Sequence, residues 1–304
     1  MSPLIAAALA AASPAAGAAA LAPPVPAAEA AIALGTTFRL PSKILGAARE
    51  INVWLPPGYG RDDRRYDVLY LLDGGLDQDF GHIAGLAQLG ALSATYDTLI
   101  VVGIKTENRR AELTAAPADP RYLQAFPESG KAELFRRHIA EEVIPFMEGR
   151  YRTGKRRALI GESLAGYFVI DTLLKRPELF SDYIAVSPSL WWDDRALARQ
   201  SAALLRAHPP AGKRLYIAAG NEGGTMRKGV DALIASLRTT APASFEWRFA
   251  DKSASETHST IFHIAALEAL RWLYAAAPYD YGPTPWFMIE GAAPPPRKPE
   301  APKR

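Results

Sequence analysis

The residues best suited to chemistry lie in Arg157-Ala158-Leu159-Ile160-Gly161-Glu162-Ser163-Leu164-Ala165-Gly166-Tyr167-Phe168. An apolar run that reads as a buried strand leads into a serine, and an apolar run that reads as a helix leaves it. That is the context of a nucleophile elbow, where a serine occupies a strained turn between strand and helix. Bulky residues two positions before or after the serine would collide across the turn, and Gly161 and Ala165 keep those positions small. Gly166 lets the new helix pack on the sheet, and a helix N-terminus at Ser163 favours developing negative charge. The fifth position of the motif is Ala rather than Gly. The competing reading is a serine that only caps a helix.

A serine hydroxyl at its ordinary pKa needs a base. Of the five histidines, His138 falls in a helical pattern, His208 at a helix end and His263 inside the last helical pattern, all structural positions. His82 follows a strand and could line a site. His258 stands in the polar loop Ala254-Ser255-Glu256-Thr257-His258-Ser259-Thr260, after the last strand and before the last helix. A hydrolase of this order places its imidazole there, with the acid between nucleophile and histidine in the chain. Glu222 fits, since it follows a strand within Gly220-Asn221-Glu222-Gly223-Gly224. Asp251 is a competitor, and Glu256 a weaker one, because a carboxylate two residues from the histidine in an extended loop points elsewhere. An oxyanion hole needs two backbone N–H donors. Leu164 would supply one, and Gly75, preferred over Gly74, the other from Asp73-Gly74-Gly75-Leu76. Asp77 and Asp79 lack calcium-loop spacing and read as helix caps. Gly223-Gly224-Thr225 lacks the lysine of a phosphate loop. No metal or other cofactor is implied.

The elements that must hold these residues read as strands at Thr37–Leu40, Glu50–Leu55, Val68–Leu72, Leu99–Ile104, Arg157–Gly161, Tyr183–Val186, Leu215–Ala218 and Phe245–Phe249. Helical patterns occupy Lys131–Tyr151, Leu164–Lys175, Arg195–Ala207, Arg227–Leu237 and Thr260–Ala275. Pro145 is expected to kink the first of these. From Val68 the order alternates and the strands are nearly continuously apolar. That predicts an α/β fold with a mostly parallel central sheet and helices on both faces. The first two strands have no helix between them and predict an antiparallel edge hairpin.

Composition narrows the class. The chain has 304 residues, 22% charged and 10% aromatic, which excludes an intrinsically disordered protein. It has no cysteine, so disulfides, thiolate zinc sites and cysteine nucleophiles are excluded. No run is apolar and long enough to span a membrane. The net charge is +3, but residues 1–34 carry −1 and residues 292–304 carry +3, which leaves +1 for the body, 35–291. A nearly neutral body offers no footprint for nucleic acid. Residues 1–34 form an Ala/Pro-rich arm whose Leu4–Ala10 stretch and Ala-x-Ala spacings match an export signal, although Met1-Ser2-Pro3 contributes no Lys or Arg. The expectation is export to the periplasm, with a cytoplasmic enzyme as the alternative. Residues 292–304 read as a disordered Pro-rich basic tail.

Four segments together carry a resemblance: Val68-Leu69-Tyr70-Leu71-Leu72-Asp73-Gly74-Gly75, Gly161-Glu162-Ser163-Leu164-Ala165-Gly166, Ser187-Pro188-Ser189-Leu190-Trp191-Trp192 and Glu256-Thr257-His258. Over roughly residues 36–275 the chain resembles the putative-esterase family of the α/β-hydrolase superfamily. That family contains enterochelin and bacillibactin esterases, S-formylglutathione hydrolases and mycolyltransferases. The resemblance implies an α/β-hydrolase fold, Ser163 as nucleophile, His258 as base and a small-molecule ester as substrate. The acid is the family's loosest element, and some siderophore esterases work with a Ser–His pair. Acyl transfer by the same residues is the alternative, and a hydrolase fold kept for binding alone is a third reading. Trp191, Trp192, Arg109 and Arg110 follow strand ends on one side of the sheet. They suit a bulky, partly anionic or catecholic ester, although a Trp closing the core and two solvated arginines would give the same pattern.

Overall fold

The computed structural model describes residues 32–277 and 282–294. The candidate export segment up to residue 31 and the tail from residue 295 lie outside the described residues. From Leu34 the described chain forms one compact unit. Its strands are β1 (Thr36–Pro41), β2 (Ala48–Trp54), β3 (Tyr66–Leu72), β4 (Leu99–Ile104), β5 (Thr153–Glu162), β6 (Asp182–Val186), β7 (Arg214–Ala219) and β8 (Glu246–Asp251). The helices are α1 (Phe80–Ser93), α2 (Arg109–Leu113), α3 (Pro120–Ala125), α4 (Ala132–His138), α5 (Ile144–Arg150), α6 (Leu164–Lys175), α7 (Trp192–Ala207), α8 (Gly224–Thr240) and α9 (Ile261–Leu273).

The strands form one sheet in the order β1-β2-β4-β3-β5-β6-β7-β8. The β1–β2 and β2–β4 pairs are antiparallel and every pair from β3 to β8 is parallel. The edge hairpin and the parallel body are both as the sequence predicts. Alternate residues of β3 face opposite ways because a strand has a side-chain period of two. Val68, Tyr70 and Leu72 join Phe135, Phe168, Leu197 and Leu233 in one core. Leu69 and Leu71 join Ile83 and Leu86 of α1 and Ala265 and Leu270 of α9 in the other. Burial of both faces is why the central strands read as unbroken apolar runs.

Three departures from the sequence reading bear on the site. The predicted long helix from Lys131 is broken by a π turn at Ile139–Val143, and Pro145 opens α5. A proline cannot donate to the carbonyl four residues back, so the ladder widens ahead of it. Helix α1 follows β3 directly. Asp79 holds its N-cap position, but its side chain makes no capping hydrogen bond, while Asp77 pairs with Lys105 at 3.2 Å. The predicted caps are therefore not made. At the start of α7, Asp193, Asp194 and Arg195 are all left-handed, so regular helix begins only after them. The carboxylate of Asp193 accepts the N–H groups of Ala118 and Asp119 at 3.0 and 2.9 Å. These bonds tie the β6–α7 turn to the segment after β4.

Candidate active site

In a parallel sheet the strand carboxyl ends share one edge, where ligands collect. Ser163 lies between β5 and α6 with φ 60° and ψ −117°, a conformation that costs a non-glycine residue energy. Its N–H donates to Val186 O at 3.0 Å and its C=O accepts from Tyr167 and Ser189, so the turn is tied into β6 and α6. A Cβ on Gly161 would lie 2.6 Å from that of Ala165, which accounts for the small residue there.

His258 reaches this turn from the β8–α9 loop. Its Nε2 is 3.1 Å from Ser163 Oγ and its Nδ1 is 3.5 Å from Glu222 Oε1. The imidazole is 39% exposed and the Glu222 side chain 1%. The two loops touch through their backbones. Asn221 N–H donates to Glu256 O at 2.8 Å, and a Cβ on Gly220 would sit 3.0 Å from that same carbonyl. Glycine at 220 permits this approach, and the approach brings Glu222 under the imidazole. The two competing carboxylates are engaged elsewhere. Asp251 accepts from Arg227 at 2.7 Å, and Glu256 accepts from Thr260 Oγ1 at 2.8 Å.

The electrostatics follow from these contacts. Burial pushes the Glu222 carboxyl up, but the contacts with His258 and Gly220 N–H and the nearby Ser187 hydroxyl outweigh it and leave the group below the ordinary carboxylate range. The hydrogen bond to Glu222 holds the His258 pKa above the ordinary imidazole value, against partial burial. Glu162, next to Ser163, is pushed up to about 7 by burial; Asp79 and Asp73 add to the rise, while His258 and Arg109 oppose it. Asp79 is raised to about 6 by burial and by Asp73. Hydrogen bonds from Arg227 and Ser253 hold Asp251 down, at about 2.

The two N–H groups expected to hold an oxyanion differ in their resting state. Leu164 is the first residue of α6, so its N–H has no acceptor within the helix. Gly75 N–H donates to Gln78 Oε1 at 3.0 Å, while Gly74 N–H is spent on Ile104 O at 2.9 Å. The Gln78 amide in turn donates to Thr106 O at 3.1 Å. Gly75 can therefore serve an oxyanion only when Gln78 turns away. No local sequence signal announced this contact.

The four residues expected to line the substrate separate into pairs. Trp192 is 1% exposed and its indole N–H donates to Ala115 O at 3.0 Å, so it closes the core. Trp191 is half-buried and packs beside Tyr122, whose hydroxyl donates to Trp191 O at 3.2 Å. Arg109 pairs with buried Asp73 at 2.8 Å and adds positive potential at His258 and Glu162. Arg110 lies over the Phe126 ring at 4.3 Å and reaches Glu128 at 3.8 Å, away from Asp73. Next to Trp191, a cavity of about 350 Å³ is lined by Arg121, Tyr122, Ala125, Phe126, Asp194 and Thr225. His82 Nε2 lies 2.9 Å from His263 Nδ1, so these two histidines pair with each other. Among the described residues no cluster of three or more His, Asp or Glu could hold a metal, and no helix is long and apolar enough to cross a membrane.

Comparison with known proteins gives this geometry a family. The model of the family described as Putative esterase matches residues 42–263, and the chain belongs to that family. It is an ester-bond hydrolase with the α/β-hydrolase fold. The crystal structure of an IroE-like serine hydrolase from Shewanella oneidensis is 28% identical, with a TM-score of 0.71 over 79% of this chain and 80% of that one. The ferri-bacillibactin esterase BesA of Bacillus subtilis is 33% identical over 144 residues, 42% of this chain and 49% of BesA. The Bacillus subtilis protein YbbA is 24% identical over 74% of this chain and 92% of its own length.

Proposed function

We propose that this protein hydrolyses a bulky, siderophore-like ester through an acyl-enzyme formed on Ser163. The observation that carries the reading is the contact series Ser163 Oγ, His258 Nε2, His258 Nδ1, Glu222 Oε1, at 3.1 and 3.5 Å, ending on a buried carboxylate. His258 takes the Ser163 proton as Oγ attacks the ester carbonyl carbon, and it returns that proton to the departing alcohol. A water, deprotonated by the same imidazole, then attacks the acyl carbon, and Ser163 Oγ leaves with the proton. Glu222 orients the imidazole and stabilises its charged form. Leu164 N–H holds the oxyanion together with Gly75 N–H, which Gln78 releases when substrate enters.

The chemistry of the rim supports the substrate class. Trp191, Tyr122 and Phe126 supply aromatic surface, Arg121 lines the cavity beside them, and Arg109 adds positive potential at His258. Such a wall suits an aromatic or anionic acyl group. The name of BesA, an esterase for an iron-loaded siderophore, points the same way. The half-exposed imidazole leaves room for water, which favours hydrolysis over transfer to another alcohol. Two measurements test the reading. A fluorophosphonate probe should label the wild type at Ser163 and leave Ser163→Ala unlabelled. Trilactone siderophores should be turned over with a higher kcat/KM than p-nitrophenyl acetate, and the reverse order would remove the substrate assignment while keeping the mechanism.

A further inference from the structure

The turn Ser187-Pro188-Ser189 follows β6 and touches both ends of the catalytic series. Ser187 N–H donates to Ala218 O at 2.8 Å, at the end of β7, and Ser189 N–H donates to Ser163 O at 2.9 Å, at the end of β5. Both serines are buried, at 0% and 2% exposed. Ser187 holds φ 42°, a left-handed conformation that L side chains rarely adopt, and a proline of fixed φ follows it. Small polar residues are not needed to pack such a turn, so their hydroxyls invite a chemical explanation.

Each hydroxyl has one place to go. Ser189 Oγ lies 3.2 Å from Ser163 Oγ and has no other hydrogen-bond partner among the described residues. Ser163 has one proton, and it must point at His258 Nε2 if the imidazole is to take it. The remaining contact can then only be Ser189 donating to Ser163 Oγ. At the other end, Ser187 Oγ and Glu222 Oε2 are both buried and neither meets a partner within full hydrogen-bond distance. The Ser187 hydroxyl is nonetheless near enough to hold the Glu222 carboxyl down. Two buried oxygens without partners, one able to donate and one ionised, are stabilised when they meet.

We propose that Ser187-Pro188-Ser189 is a two-ended hydrogen-bond clamp on the catalytic residues: Ser189 donates to the nucleophile oxygen and Ser187 donates to the second carboxylate oxygen of Glu222. The inference rests on the assignment of Ser163, His258 and Glu222 made above. Ser189 contacts a reacting atom. Negative charge develops on Ser163 Oγ as its proton leaves, and again when Oγ is expelled in deacylation. A hydrogen bond to that oxygen strengthens as the charge grows, so it favours the transition states over the ground state. Ser187 is a positioning residue that acts through Glu222. Oε1 already has Gly220 N–H at 3.2 Å and the imidazole at 3.5 Å, whereas Oε2 is buried with no partner. Removing Ser187 leaves that charge unshared, so the carboxylate attracts the imidazolium more strongly. His258, which also faces Glu162 and Arg109, then loses its proton at higher pH.

The two serines therefore have different signatures, which a merely structural turn would not give. The test uses the full chain, p-nitrophenyl acetate as substrate, and fluorophosphonate labelling as a reading of nucleophile reactivity. Ser189→Ala should lower kcat and the labelling rate about tenfold at every pH, with KM within about twofold and the acid limb unmoved. Ser187→Ala keeps the Cβ and the backbone strain; it should move the acid limb of kcat to higher pH. If Ser189→Ala folds poorly, Ser189→Cys, similar in shape and a weaker donor, should show the same loss in smaller measure. Wild-type kcat in both Ser189 variants, an unmoved limb in Ser187→Ala, or losses in proportion to a lowered Tm would overturn the clamp. Ser163→Ala is measured alongside. If it stays active, the catalytic assignment itself falls; if it is dead while both serine variants match the wild type, only the clamp falls.

Discussion

The carboxyl ends of β5 and β6 and the carboxyl end of β4 border the same edge of the sheet and are built in opposite ways. Ser163 and Ser187 hold strained backbone, fixed by hydrogen bonds to the neighbouring strands, and their turns are largely buried. After β4 the chain instead presents side chains: Arg109 is 44% exposed and Arg110 equally so, Arg110 lies over Phe126, and Tyr122 packs against Trp191. A reacting atom must be placed within a few tenths of an ångström, which packed backbone can do and a flexible side chain cannot. Recognition of a large ester tolerates looser placement and gains from long, charged or aromatic groups. Under the proposed mechanism, bond making falls to the β5 and β6 turns and substrate selection to the rim.

Breaking the first region should give the largest effect. Ser163→Ala is expected to lower kcat by about 10⁴-fold or more, with Tm nearly unchanged, because only one hydroxyl is lost. Steady-state turnover of p-nitrophenyl esters with a thermal melt checks both halves. Glu222→Gln should cost about 10²-fold in kcat, while Asp251→Asn, whose carboxylate faces Arg227 instead, should stay within about twofold. The same Glu222 variant sharpens the electrostatic side. The hydrogen bond to Glu222 raises the His258 pKa, and activity needs the neutral imidazole, so wild-type kcat falls as the pH drops through that raised value. Without the carboxylate charge the acid limb should move to lower pH.

At the rim the expected effects are smaller and selective. Arg109→Ala should lower kcat/KM for an anionic ester relative to a neutral one by about fivefold, read as the ratio of the two substrates. An unchanged ratio would leave Arg109 with only its pairing to Asp73. The smallest effect is on stability. Glu162 has a folded pKa raised to about 7, mainly by burial, so the folded state binds a proton more tightly than the unfolded chain does. That preference stabilises the fold at low pH and is progressively lost as the pH rises from the unfolded value through about 7. Glu162→Gln should therefore raise Tm at mildly alkaline pH and converge with the wild type in acid, measured by melts across that range.

Much of the frame was legible because it is written in local patterns. Leu99–Ile104 and Leu164–Lys175 coincide with β4 and α6, since a buried parallel strand and an apolar helix after a serine leave strong periodic signals. Helix α1 was not delimited from sequence, because Phe80–Ser93 carries three glycines and almost no polar face to reveal a helical period. The short helices α2 and α3 are too brief to show a period at all. The left-handed run at Asp193–Arg195 was equally hidden, because its carboxylate bonds to Ala118 and Asp119 join segments far apart in the chain.

By itself the sequence determined the alternating fold, the elbow around Ser163 and the loop that carries His258, because each depends on neighbours a few residues away. Only the tertiary structure decided which carboxylate reaches the imidazole. Glu222 and Asp251 both lie at strand ends, β7 and β8, and nothing local separates them until the Gly220 and Glu256 backbones meet and Arg227 takes Asp251. The same holds for Gln78 on Gly75 and for Ser187 and Ser189 beside Glu222 and Ser163. Those contacts join the ends of different strands, and their spacing is set by sheet register and helix packing, which no short stretch of sequence encodes.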